Sequence, residues 1–163
     1  MRGILSIAYL FIIVCFTLII GLGQTNKIKP DLIPRGCEYN NIALEGARKK
    51  AGTRSVIILI ARPGKKDRLK AISERRLYTA RAYLTSYLTL PDEPTVVTAN
   101  GENSGGLYGV IEIYVTGILF DSLASYPNYE LGLGSCDSLE SDDEDSRAKR
   151  SLLYPWLFRP KKI

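Results

Sequence analysis

The spacing of hydrophobic positions changes several times along this chain, and each change marks a different element. Ile4 to Ile20 is apolar apart from Ser6 and Thr17, and this run approaches the ~20 residues that cross a bilayer. Polar chain with Pro30 and Pro34 follows. From Glu38 to Ala51 apolar residues return at helical spacing, with Ile42, Ala43, Ala47 and Ala51 forming a modest stripe that Gly46 weakens. Ser55 to Ala61 is an unbroken run rich in β-branched residues. It reads as a central strand covered on both faces, or on one face plus neighbours. Pro63-Gly64 ends it.

Between about Asp67 and Leu88, Leu69, Ile72, Leu77, Ala80, Leu84 and Leu88 recur at three-to-five-residue steps. That spacing predicts a long helix with Arg75, Thr79 and Arg81 pointing away from its apolar side. Pro91 and Pro94 close it. Thr95 to Ala99 reads as a short strand and Asn100 to Gly106 as a loop. In Val110 to Val115 the alternation puts Ile111, Ile113 and Val115 on one face and Glu112 and Tyr114 on the other, and Gly117 ends the ladder. Past Ser125 the periodicity fades into an acidic block at 137–145, basic Arg147 to Arg150 and an aromatic-basic end, Tyr154 to Lys162. That end fits either a membrane interface or partner groove, or a tail packing on its own domain.

This order predicts an α+β fold, a two-layer sandwich of a small mixed sheet with helices on one face. The organisation reads as 1–23 signal peptide or N-terminal membrane anchor, 24–36 linker, 37–125 folded domain and 126–163 flexible acidic/basic tail. Gly21-Leu22-Gly23 offers small residues for cleavage before Gln24, whereas an uncut segment would tether the chain. Both readings place the remainder outside the inner membrane.

Charge and cysteines sharpen the picture. Twelve basic residues lie between Arg48 and Arg81 against only Asp67 and Glu74. Arg48, Lys49, Lys50, Lys65, Lys66, Arg68, Lys70, Arg75 and Arg81 make a candidate basic patch for an anionic surface, or a plain solvated face. Cys37 and Cys136 flank the expected core in a compartment that permits oxidation. A bridge between them would close a loop of about 100 residues and stabilise by ~4 kcal/mol; free thiols are the alternative. The chain has no histidine, which removes the commonest general base and metal ligand. No nucleophile elbow or P-loop occurs, so neither an enzyme nor a cofactor is expected. Export argues against a nucleic-acid partner for the tyrosines near the basic residues.

The helix Ile72-Ser73-Glu74-Arg75-Arg76-Leu77-Tyr78-Thr79-Ala80-Arg81-Ala82-Tyr83-Leu84, together with the element order over residues 38–116, resembles the OmpA-like, peptidoglycan-associating domain. That family carries Gly-His-Thr-Asp-x-x-Gly, an asparagine, then Leu-Ser-x-x-Arg-Ala-x-x-Val-x-x-Tyr-Leu. Gly64 stands for the last glycine, Ile72-Ser73 for Leu-Ser, Arg76 for the arginine, Ala80 for the valine, and Tyr83-Leu84 matches directly. The closing Asn-Arg-Arg-Val-Glu-Ile is approximated by Tyr108 to Ile113. The resemblance implies an aspartate and the helix arginine gripping the two charged ends of diaminopimelate.

Here the aspartate position is Ala61, the asparagine is Leu69, and Tyr108-Gly109 replaces Asn-Arg. Loss of the charged acceptor alone costs a few kcal/mol, about a hundredfold in affinity. Asp67 and Glu74 are nearby substitutes, and the plain alternative for Arg76 is a surface or cap arginine paired with Glu112 or Glu74. The candidate ligand residues are Arg76, Ser73 and Arg62. The resulting expectation is an exported bacterial envelope protein, periplasmic and possibly inner-membrane tethered, with a degenerate binding or scaffolding domain. Its candidate partners are the cell wall or an anionic envelope surface, a protein, and the membrane through an uncleaved N-terminus.

Overall fold

The computed structural model describes residues 32–53, 55–88, 94–136 and 144–158, the backbone alone at 144–146. The expected leader, most of the linker and the acidic block from 137 to 143 lie outside the described residues. Among the described residues, no helix is long and apolar enough to cross a membrane.

The chain runs α1 (Cys37–Ala51), β1 (Val56–Arg62), α2 (Ile72–Ala82) with a wider helical turn at Tyr83–Tyr87, β2 (Thr95–Asn100), β3 (Gly109–Val115), β4 (Ile118–Ser125), α3 (Glu144–Leu153) and a short turn at Pro155–Leu157. The sheet order is β2-β1-β3-β4. β1 pairs parallel with β2 and antiparallel with β3, and β3 pairs antiparallel with β4. The fold is therefore the expected α+β sandwich with a small mixed sheet.

Register explains the core. Leu59 lies opposite Ile113 and Ala61 opposite Ile111, which lies opposite Leu123. Side chains alternate across a strand, so these residues share one face, and Ala43, Leu44, Ala47, Leu77, Ala80 and Leu84 close over it. Each large buried aliphatic side chain stabilises by about 1.5–3 kcal/mol.

Several details differ from the sequence pattern. Ile42 is 67% exposed, while Leu44 takes its place in the core and Arg48 is buried beside it. Gly46 belongs where it is because the Phe120 ring packs against it. Leu69 is exposed and Thr79 is fully buried, its hydroxyl donating to the carbonyls of Arg75 and Leu153. The α-helical part of the 67–88 segment is shorter than its period suggests, because Asp67 to Ala71 are held in a loop. At the other end Arg48 Nη1 donates to the Leu84 carbonyl at 2.8 Å.

β4 is the element the pattern hides. Thr116 and Gly117, both at positive φ (54° and 80°), form the tight turn of a β3–β4 hairpin where the ladder was expected to stop. A register shift at Ile113/Tyr114 breaks the alternation that would have announced the strand.

The boundary expected at Ser125 also divides residues that pack together. Leu131, Leu133 and Leu153 are buried in the core, and the Tyr154 hydroxyl bonds to the backbone of Leu131 and Leu133. Cys37 and Cys136 form a disulfide with Cα atoms 5.5 Å apart, joining residues 99 positions apart. The 126–136 segment is thereby tied to the start of α1.

Candidate functional site

The site begins at the C-terminal end of β1. Gly64 passes so close to the backbone of Leu107 and Tyr108 that a Cβ would sit 2.6 Å from either carbonyl oxygen. Its N–H donates to Asp67 Oδ2 at 2.8 Å, and the Asp67 N–H returns to the Gly64 carbonyl at 3.0 Å. This turn consumes the carboxylate that would otherwise be free to cap a helix. α2 therefore starts at Ile72 behind Ala71, which supplies no side-chain cap.

Arg76, on the inward side of α2, meets the same carboxylate. Nη1 donates to Asp67 Oδ2 at 2.6 Å and Nη2 to Oδ1 at 2.9 Å, the bidentate arrangement that suits guanidinium and carboxylate. Nη2 also donates to the Tyr126 carbonyl and Nε to the Tyr129 carbonyl, both at 2.9 Å. Both side chains are 1% exposed. The Asn128 N–H completes the shell of Asp67 at 2.8 Å, and Asn128 Oδ1 accepts from the backbone N–H groups of Arg68 and Leu69. Gly109 is required here, since any Cβ would overlap the Arg76 guanidinium.

Electrostatics follow the geometry. Burial by itself pushes the Asp67 carboxyl upward, but the hydrogen bonds from Arg76, Asn128 and Gly64 hold it below the usual carboxylate range. The ion pair is complete without a ligand. Four donations satisfy most of the five guanidinium N–H groups, and both side chains are almost wholly shielded from solvent.

The pairing corrects the expectation that Arg76 binds Glu112 or Glu74. Glu112 is buried and instead lies 3.0 Å from Arg62 Nε, an ion pair whose N–H is not aligned for a hydrogen bond. It also accepts from the Tyr114 hydroxyl at 3.2 Å. Burial, then the Glu112 charge, raises the Tyr114 phenol. Arg62 thus sits on the sheet face opposite the helices, away from Arg76. Ser73 is half-buried in the first turn of α2.

The basic residues do not share one face. Lys49 and Lys50 end α1, beside the start of β1, whereas Lys65, Lys66, Arg68 and Lys70 lie in the loop beyond its far end. A seven-residue strand separates the two groups by roughly 20 Å. Arg48 is buried, and Arg75 pairs with Glu130 at 3.2 Å while its guanidinium lies 5.3 Å from the Trp156 ring centre. Arg81 is exposed on a different side of α2. The four loop cations do have company. Leu69, Leu107, Tyr126 and Tyr129 are exposed in the three loops gathered around the Asp67–Arg76 pair.

A shallow groove of about 270 Å³ lies elsewhere, with Glu74, Leu77, Tyr78 and Arg81 of α2 facing Thr98 to Asn100 of β2. Sequence spacing did not single it out, because it depends on which strand forms the sheet edge. Among the described residues no three His, Cys, Asp or Glu side chains group as metal ligands.

No family model matches this chain, and no curated protein or solved structure matches it either.

Proposed function

We propose that the protein is a non-enzymatic module of the bacterial envelope, an OmpA-like scaffold whose ligand-gripping arginine has become structural. The observation that carries this reading is the closed Asp67–Arg76 pair. A diaminopimelate zwitterion needs one unpaired group of each sign, and Arg76 already holds a carboxylate of its own chain. The Cys37–Cys136 disulfide supports export, since such bridges persist in oxidising compartments. Cosedimentation of the full chain with purified sacculi tests the reading. Free meso-diaminopimelate in excess is expected to leave any cosedimentation unchanged; release of the protein by that competitor would overturn it.

The loop cations favour a second reading, attraction to an anionic envelope surface. Lys65, Lys66, Arg68 and Lys70 stand exposed beside Leu69 and Tyr129, which joins charge attraction to apolar contact. Binding to vesicles containing phosphatidylglycerol is then expected to weaken as salt rises, and binding insensitive to salt would rule it out.

A further inference from the structure

We propose that the α2–β2 side of the domain is a two-fold interface with a second copy of this chain. β2 is an outer strand of the sheet with β1 as its neighbour. Its residues, Thr95-Val96-Val97-Thr98-Ala99-Asn100, include no charge and no proline, and Val97 is 47% exposed. Sheet edges are normally blunted by charges, prolines or bulges, because an open row of N–H and C=O groups templates further pairing. The opposite edge strand, β4, has such protection: it carries Asp121 and is paired through an irregular register. β2 has none.

Charge complementarity identifies the occupant. Glu74 and Arg81 both line the groove beside β2, and neither joins an ion pair among the described residues. Seven positions separate them, about 10.5 Å along a helix, with Tyr78 close to the midpoint. A two-fold axis through the middle of β2 pairs that strand antiparallel with its copy and sets the two α2 helices antiparallel. Glu74 then faces Arg81 of the other copy, and the contact occurs twice. Such self-complementarity is what an isologous interface demands of a single surface.

Distances agree with this arrangement. α2 packs most closely on β1, then on β2, and reaches β3 as well, so it lies over β1 with β2 at its side. With strands about 4.8 Å apart, a paired copy of β2 places the second α2 roughly 14 Å from the first, a gap that the long Glu74 and Arg81 side chains reach across. The Trp156 ring meets Tyr78 edge-on at 5.8 Å and so borders the groove, whereas the disulfide lies at the start of α1. The proposal rests on this side of the molecule alone and stands independently of the envelope reading.

Sedimentation equilibrium of the full chain in density-matched detergent tests it, with circular dichroism confirming that each exposed-site variant is folded. The wild type is expected at twice the monomer mass. Glu74→Arg and Arg81→Glu, which set like charges opposite each other, are each expected to weaken association about a hundredfold. An equimolar mixture of these two variants is expected to recover the dimer, because each then supplies the sign the other lacks. A monomeric wild type would overturn the proposal. So would variants that dimerise as well as the wild type, or a mixture that stays monomeric.

Discussion

At the scale of single residues, the decisive fact is that one carboxylate is shared by a guanidinium and two backbone N–H groups. Asp67 has a lower pKa folded than unfolded, so the stability it contributes is present above the unfolded value near 3.9 and is lost as pH falls through the folded value. Urea titrations from pH 7 downward are expected to show the midpoint dropping below about pH 4, with a shallower acid limb in Asp67→Asn. Tyr83 behaves in the opposite sense. Burial, then its 2.7 Å hydrogen bond to the Glu45 carboxylate, pushes its phenol far above the usual value of about 10. Its raised pKa means stability present below about pH 10 and lost above it. Tyr83→Phe is expected to flatten that alkaline loss. Gly109→Ala is expected to destabilise by about 3 kcal/mol, as overpacking against a held side chain does, measured by urea unfolding.

Among the elements, the hairpin turn carries a correctable strain. Thr116 is β-branched and sits at φ 54°, a left-handed conformation in which the branched side chain crowds its own backbone. Asn tolerates this conformation, and Asn-Gly is the preferred two-residue hairpin turn. Thr116→Asn is therefore expected to raise stability by roughly 1 kcal/mol, seen as a higher thermal midpoint. This turn also marks the limit of what spacing reveals. β3 and both early helices were legible because their apolar residues keep a regular period, and β1 because its β-branched run is unbroken. β4 was not, since Asp121 on its inner face breaks the alternation and is satisfied by the Tyr39 hydroxyl 82 residues away together with the Ser122 N–H. Arg76 was legible as a special position, but its partner was not. Asp67 precedes it by nine residues and reaches it only because Gly64 and Asn128 fold the loop back. Leu131 and Leu133 escaped notice because they lie in irregular chain past β4, and Leu153 because acidic and basic blocks separate it from any periodic run.

Across the whole molecule, long-range ties hold together segments that local sequence would leave apart. The Cys37–Cys136 bridge encloses the whole sheet, and its removal by Cys37→Ser with Cys136→Ser is expected to cost ~4 kcal/mol in urea unfolding. The Asp67–Arg76 pair does the same work from inside, fastening the loops at 63–71 and 126–130 to α2. A double-mutant cycle in urea, with Asp67→Ala, Arg76→Ala and both together, tests this most directly. Each single change is expected to cost about 3–5 kcal/mol, because it strands a buried charge. The double variant should lose less than the sum, with a coupling on the order of 2 kcal/mol. Single changes that add within about 0.5 kcal/mol would contradict the account, for Arg76 would then be a group held free for something other than its own chain.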